Sequence, residues 1–300
     1  MPCMAAQPTP VTPADFSDAR ILRAAASVGI IGGAGQAAPR LLSLLSNPLV
    51  SSQEVAALLG QEPGLSVRVL RIANSAFYGQ SRGISTLDAA IRLLGLEAVR
   101  GIAAAACMDR TMAGAQKGAP LDLGRLVDHS LATAIAAREL AGRHAPDGAG
   151  DAFIGGLLHN LGVTVQLQLD PAGVNQMLAA RQAGATDDIL ALEAGHAGVG
   201  HQHCLQVIFA AWSLPPSLVA ACCHHHDPHC AAPGFERLAA CVHLGAWLAL
   251  ASGQTWALEP QAGAPCEAAL DRLGLSVEAL EPLRAGLPEQ FVALKSALNA

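Results

Sequence analysis

The apolar residues of this 300-residue chain recur at helical spacing and β-branched alternation is rare, which confines the fold to packed α-helices. Leu41, Leu42, Leu44 and Leu45 form one apolar stripe, and Asn47-Pro48 is expected to stop that helix. Ser51 followed by Glu54 fits a capping box for a helix with Val55, Leu58 and Leu59 on its inner face. Val67, Leu70, Ile72 and Ala73 continue the period as far as Asn74, and Ser85 with Asp88 opens a helix carrying Ile91, Leu94 and Val99. The polar, glycine-containing stretch 111–120 reads as a break. A second helical set then runs over about 121–253, with turns at Gly148–Gly150, Pro171, Pro215-Pro216 and Pro228. Two amphipathic segments follow, at 277–283 and 291–298. Residues 1–14, with prolines at 2, 8, 10 and 13, are expected to be a disordered lead-in.

Composition limits what such a helical protein can do. Apolar residues make up 52% of the chain, mostly alanine and leucine, and only 14% is charged, so a core can form. The clean apolar stretch Ile102–Met108 is far shorter than a bilayer span, and Leu205–Cys223 is interrupted by Gln206, Ser213, Pro215, Pro216 and Ser217. No membrane partner is therefore expected. The net charge of −6 and an aromatic content of 3% leave neither a basic stripe nor stacking platforms, so direct nucleic-acid binding is not expected. Eight cysteines without a secretory leader read as thiols of a cytoplasmic protein. Gly33–Ala38 matches G-x-G-x-x-A, but no βαβ unit follows and Pro39 interrupts, so it reads as a loop. Neither a G-x-S-x-G elbow nor a P-loop is present.

Histidine is the residue type that carries chemistry. Eleven are present, and the run Cys222-Cys223-His224-His225-His226-Asp227-Pro228-His229-Cys230 is the densest group of metal-ligating side chains. A structural zinc site pairs two short ligand couples across a loop; this run has no such second couple. Single histidines are more often hydrogen-bonded core or surface residues than ligands. Several on successive helices can converge, because helical proteins build metal sites from facing side chains.

Phe153–Gly162, with His159-Asn160 at its centre, and the upstream Asp128-His129-Ser130 resemble the HD superfamily of metal-dependent phosphohydrolases. In that superfamily one helix supplies an adjacent His-Asp pair, an earlier helix a His and a later one an Asp. Glu62-Pro63-Gly64-Leu65, then Val69 through Asn74-Ser75-Ala76-Phe77-Tyr78-Gly79, narrow the resemblance to HDOD domains, a branch found in bacterial signalling proteins. Ile84-Ser85, Ala89–Leu96, His129-Ser130, Gly156–His159, Glu193 with His196, Trp212 with Leu214-Pro215, and His225-His226 continue it in order.

The resemblance implies an all-α protein in which a helical part at 15–112 packs on an HD-like part at 121–255, followed by a helical tail at 256–300. It implies a signalling or output module working through a partner protein or a nucleotide-like small ligand. His129, His159, Asn160, His196, His225 and His226 would line the HD cavity. Two carboxylates of the superfamily are replaced: the paired Asp is Asn160, and the late Asp falls at Ala246. A divalent cation loses the charges that hold it, so no catalysis and no metal are expected. If a metal is kept, His129, His159, His196, His225 and His226 are its expected ligands, on the pattern of relic histidines reused. The alternative is a phosphohydrolase of nucleotides or cyclic dinucleotides, with Asp128, Glu193 or Asp227 replacing the lost carboxylate. In the signature, Asn74 is expected to end a helix with Gly79 turning the chain. Ser75 is expected to do no chemistry, while Phe77 and Tyr78 fill the gap between helices or form a contact surface.

Overall fold

The structure, a computed structural model, describes residues 17–27, 37–45, 47, 49–61, 63–74, 84–115 and 121–299. Among these the regular structure is helical, with one isolated antiparallel bridge between Trp256 and Glu259. None of the described helices is long and apolar enough to cross a membrane.

The first part comprises α1 (Asp18–Ser27), α2 (Ala37–Leu44), α3 (Ser52–Leu59), α4 (Pro63–Ala73) and α5 (Leu87–Ala115). The capping box forms as the sequence predicts: Ser51 Oγ accepts from the Glu54 amide at 3.2 Å, and Glu54 Oε2 accepts from the Ser51 amide at 2.9 Å. Asn74 ends α4 and does more. Its Nδ2 donates to the carbonyls of Leu70 and Ile84, both at 2.8 Å, and its Oδ1 accepts from the Ile84 amide at 2.7 Å. One side chain thus ties the end of α4 to the approach to α5. Thr86, not Ser85, caps α5, its Oγ1 accepting from the Ala89 amide at 3.3 Å, while Asp88 accepts from Ser52 Oγ and so joins α5 to α3. Inside α5, Gly95 has φ 78° and ψ 159°, a conformation glycine alone takes readily, and the helix kinks there.

Helix α5 continues to Ala115, five residues into the stretch 111–120 read as a break. Within 111–115 the one strong resistance to helix formation is Gly114, at a cost of about 1 kcal/mol, and the turns before it carry the helix through. Residues 1–14, Gly33–Gln36 of the glycine motif, and Ser75, Phe77, Tyr78 and Gly79 lie outside the described residues; Ala37 and Ala38 open α2.

The second part comprises α6 (Leu123–His144), α7 (Ala149–Leu158), α8 (Leu161–Leu169), α9 (Pro171–Gln182), α10 (Ile189–His196), α11 (His201–Trp212), α12 (Pro216–Cys223) and α13 (Glu236–Ala251). Helix α6 is the axis, with α7 and α13 laid against it. Prolines occupy the first positions of α9 and α12, where the missing N–H is not needed, and short 3-10 turns stand at Pro146–Gly148 and Pro228–Cys230. One hydrophobic core runs through both parts, and the Arg100–Asp151 ion pair joins α5 to α7 beside it.

The tail holds α14 (Glu267–Leu273) and α15 (Glu281–Asn299). The two tail segments read from the sequence are joined here: a 3-10 turn at Glu278–Leu280 leads directly into one helix that carries Pro288 inside it. Proline has no N–H to give the carbonyl four residues back, that of Arg284, and Ser252 Oγ donates to that carbonyl instead at 3.2 Å. Lys295 to Asp128 at 2.6 Å and Gln290 to Glu139 at 2.7 Å fasten α15 to α6.

Candidate functional site

Histidines from four places in the fold meet in the core of the second part. His129 lies mid-way along α6. His159 ends α7, with Asn160 at the joint before α8. His201 begins α11, and His225 and His226 follow the end of α12. His129, His159, Asn160, His201 and His225 are buried, as is the Nε2 atom of half-buried His226. Ring centroids are 5.3 Å apart for His129 and His159, 4.8 Å for His159 and His225, 5.3 Å for His201 and His225, and 4.1 Å for His225 and His226.

The hydrogen bonds of these rings are one-sided. The Nδ1 atoms of His129, His159 and His225 lie 2.9, 2.7 and 2.6 Å from the carbonyls of Gln254, Gly156 and Cys222. A carbonyl only accepts, so each Nδ1 carries the proton and each Nε2 presents a bare lone pair. His201 Nδ1 is held in the same way by Glu193 Oε1 at 2.8 Å, which also accepts from the His201 amide at 2.9 Å. The Nε2 atoms of His129, His159, His201, His225 and His226 have no hydrogen-bond partner, and neither does the side-chain oxygen or nitrogen of Asn160.

Burial, reinforced by the neighbouring imidazoles, holds His159, His225 and His226 well below the usual histidine range. Burial lowers His129 and His243 too, against the opposing pull of Glu259. Burial alone would raise Glu193, but the charge and hydrogen bonds of His201 outweigh it and leave the carboxyl below its ordinary value. His129, His159, His225 and His226 are therefore held as neutral imidazoles.

His196, placed in the cavity by the sequence reading, is exposed at the last residue of α10. That helix buries Ile189, Leu192 and Glu193 and stops, and the backbone carbonyl of His196 packs against Gly173 of α9. His201 takes the role instead. The sequence hides this because the turn Gly198–Gly200 separates it from Glu193, so helical spacing does not relate the two. Gly162 makes the fit: a Cβ there would lie 2.0 Å from the His201 carbonyl oxygen. Of the three carboxylates considered as replacements, Asp128 is engaged by Lys295 and Asp227 is exposed beside His229. Only Glu193 reaches the cluster, and it does so behind His201. Glu259, which acts on His129 and His243, accepts from Trp256 Nε1 at 2.8 Å and carries no signal in the sequence. Ala246 lies half-buried on α13.

The run Cys222–Cys230 divides three ways. Cys222 and Cys223 enter the core, His225 and His226 face the cluster, and Asp227, His229 and Cys230 are exposed. Outside the cluster, a cavity of about 710 Å³ is lined by Glu193, Gln202, His203, His224, Asp227 and Cys230.

Does this donor set fit the metal that the HD superfamily uses? The ligand atoms of His201, His225 and His226 lie within 4.8 Å of one another, and the carboxylate and carbonyl that anchor the Nδ1 atoms of His201 and His225 are groups of the kind that orient metal-bound imidazoles. Nitrogen-only donors suit zinc, nickel, copper or iron; they do not suit magnesium or calcium, which need oxygen ligands.

The HDOD domain family matches residues 35–228. An HDOD domain protein of unknown function from Geobacter sulfurreducens is 24% identical, with a TM-score of 0.61 over 88% of this chain and 90% of that one. A candidate signal transduction protein of Marinobacter aquaeolei VT8 is 21% identical, with a TM-score of 0.70 over 88% of this chain and 59% of that one. A candidate phosphohydrolase of Shewanella amazonensis SB2B is 23% identical, with a TM-score of 0.63 over 93% and 96%. An uncharacterized protein of Treponema pallidum is 26% identical over 188 residues, which are 62% of this chain and 36% of that protein. The chain thus spans about a third of the length of that curated relative. These solved structures share the helical fold, and with the family match over residues 35–228 this chain belongs to the HDOD domain family.

Proposed function

We propose that this chain is a signalling module that binds rather than hydrolyses, and that its imidazole cluster holds a transition-metal ion as a cross-link between helices. One observation carries the reading: five buried Nε2 atoms lack any partner while the Nδ1 atoms of four of those rings are pinned to oxygen. A buried polar atom left unmet costs about 1–3 kcal/mol, so an arrangement with this many calls for an occupant. When bound, an ion there would supply Lewis acidity and bonds between elements. His201, His225 and His226 would hold it, joining α11 to the segment after α12, with His159 and His129 next in the same row of imidazoles. Its binding energy becomes folding energy, and the helical surface then depends on occupancy.

The same residues support the non-catalytic reading. Asn160 and Ala246 stand where two anionic ligands would be, and Glu193 spends its Oε1 on His201 and on Gln166 Nε2 at 2.9 Å. Among the described residues, the Glu193 oxygen that reaches the cluster is thus already held, which supports a centre that does not activate water. The test is elemental analysis of untagged protein purified without chelator or nickel resin, alongside assays on nucleotides and cyclic dinucleotides with manganese, magnesium or iron(II). The expected result is near one equivalent of a transition metal, lost in His225→Ala, with no turnover. Less than about a tenth of an equivalent overturns the metal reading. Turnover abolished by His159→Ala overturns the non-catalytic one and establishes a phosphohydrolase.

A further inference from the structure

Past His225 and His226 the chain turns outward, and its next four residues present a second group of donors. Asp227, His229 and Cys230 are exposed on a turn that Pro228 stiffens and two backbone bonds close: the Cys230 amide to the Asp227 carbonyl at 2.9 Å, and the Ala231 amide to the Pro228 carbonyl at 3.3 Å. Asp227 Oδ1 lies 3.0 Å from His229 Nδ1, and Asp227 Oδ2 lies 3.5 Å from Cys230 Sγ. One ligand atom from each of the three falls within 4.8 Å of the others. Neighbouring donors on a tetrahedral ion with bonds of about 2.0–2.3 Å are roughly 3.3–3.8 Å apart. The turn therefore already gathers one oxygen, one nitrogen and one sulfur donor, at separations that small side-chain rotations bring to that spacing. The fourth direction has room, because Asp227 and Cys230 also line the cavity of about 710 Å³ beside α10 and α11, together with His224.

We propose that Asp227, His229 and Cys230 form a second, outer metal site that takes a borderline divalent ion such as zinc or cobalt(II), with its fourth position open to the cavity. One carboxylate oxygen, one imidazole nitrogen and one sulfur favour these ions over magnesium and calcium, which avoid sulfur and seek six or more oxygens. The carboxylate and the thiolate together balance the charge of the ion; Cys230 binds as thiolate and releases its proton to solvent. The outer site does not depend on occupancy of the inner cluster, which offers no sulfur.

Cobalt(II) titration of the 300-residue protein tests this, because a thiolate bound to cobalt gives a near-ultraviolet charge-transfer band that an all-imidazole site cannot give. The band is expected in the wild type, absent in Cys230→Ser, and reached only at about tenfold higher cobalt in His229→Ala and Asp227→Ala. All three positions are exposed, so the variants retain the fold, which far-ultraviolet circular dichroism checks. No band at millimolar cobalt, a band that survives Cys230→Ser, or unchanged affinity in both His229→Ala and Asp227→Ala would each overturn the outer site. Cobalt ligand-field bands without charge transfer report the inner cluster separately, so either site can fail while the other stands.

Discussion

Gly162→Ala is the sharpest perturbation of the imidazole cluster that touches no imidazole. A Cβ at this position would stand 2.0 Å from the His201 carbonyl oxygen, 2.8 Å from its carbonyl carbon and 3.1 Å from its Cα. Ordinary contact begins at 3.4 Å, so the start of α11 must retreat by about 1.4 Å, the difference between 3.4 and 2.0 Å. The obstructing atoms are backbone, and no side-chain rotation relieves them. His201 is fully buried and its Nδ1 is anchored to Glu193 at 2.8 Å, so the retreat either breaks that bond or drags α10 along. Overpacking of this kind costs about 1–3 kcal/mol, which for a chain of this size lowers Tm by roughly 2–10 °C. Displacement of the His201 Nε2 should weaken metal retention by about tenfold or more, as loss of an orienting contact does in metal sites. Gly142→Ala is the control: it lies exposed in the last turns of α6 with nothing within 4 Å of the new Cβ, so it should gain about 0.5–1 kcal/mol. Thermal unfolding of both variants, with metal content measured on each, decides the matter. A Gly162→Ala protein as stable and as metal-rich as Gly142→Ala would refute the contact between α8 and α11 on which this account of His201 rests.

Three further outcomes are expected. In metal-free protein, His159, His225 and His226 stay neutral at pH values where unfolded histidines, with an ordinary value of 6.5, take up protons. The unfolded state then binds more protons, so stability is full above pH 6.5 and falls below it. The chain is therefore expected to be less stable at pH 5.5 than at pH 7.5, and urea denaturation giving equal midpoints at the two would contradict this. Burial pushes the thiols of Cys204, Cys223 and Cys241 up to about 12 and Cys222 well above the usual thiol range, while Cys230 is exposed and raised by its hydrogen bond to Asp227. An aromatic disulfide reagent at pH 8 should therefore modify Cys230 in the folded protein and those four only after unfolding, as peptide mapping would show. Ser252→Ala leaves the Arg284 carbonyl without the donor that replaces the Pro288 amide, and should lower stability by about 1 kcal/mol. Equal loss in a Ser252→Ala, Pro288→Ala double variant would show that the two residues are not coupled.

Local chemistry made much of the fold legible. The Ser51–Glu54 capping box, Asn74 at the end of α4 and prolines opening α9 and α12 each act within one helical turn, so the sequence alone locates them. The continuation of α5 through Thr111–Ala115 was not legible, because a polar, glycine-bearing segment inherits helix from the turns before it at small cost. The joining of the tail into α15 was hidden for another reason: it rests on Ser252, more than thirty residues away, meeting the carbonyl that Pro288 leaves free. The site divides along the same line. His129, His159, His225 and His226 stand in motifs and could be named. His201 is brought in by a close approach of α8 to α11 and by Glu193 across an intervening turn, relations that no spacing records.

That division bears on how a missing carboxylate should be read. Counted as letters, Asn160 and Ala246 subtract charge from an oxygen-rich centre, and loss of the metal is the natural inference. Counted as donors in place, the subtraction changes the kind of ion the centre suits. A buried carboxylate pair needs the strong positive field of a divalent ion to remain ionised, whereas neutral imidazoles remain ligands in a dry core with or without one. Protonation would remove them, and burial opposes protonation. Three backbone carbonyls and one carboxylate fix the direction of four of the five lone pairs, which is the part of a metal site that costs most to build and that sequence comparison sees least. On the reading proposed above, the substitutions would separate two properties that the HD arrangement combines: the charge that helps to activate water, and the oriented donors that can hold an ion between helices, of which the donors are present in the geometry.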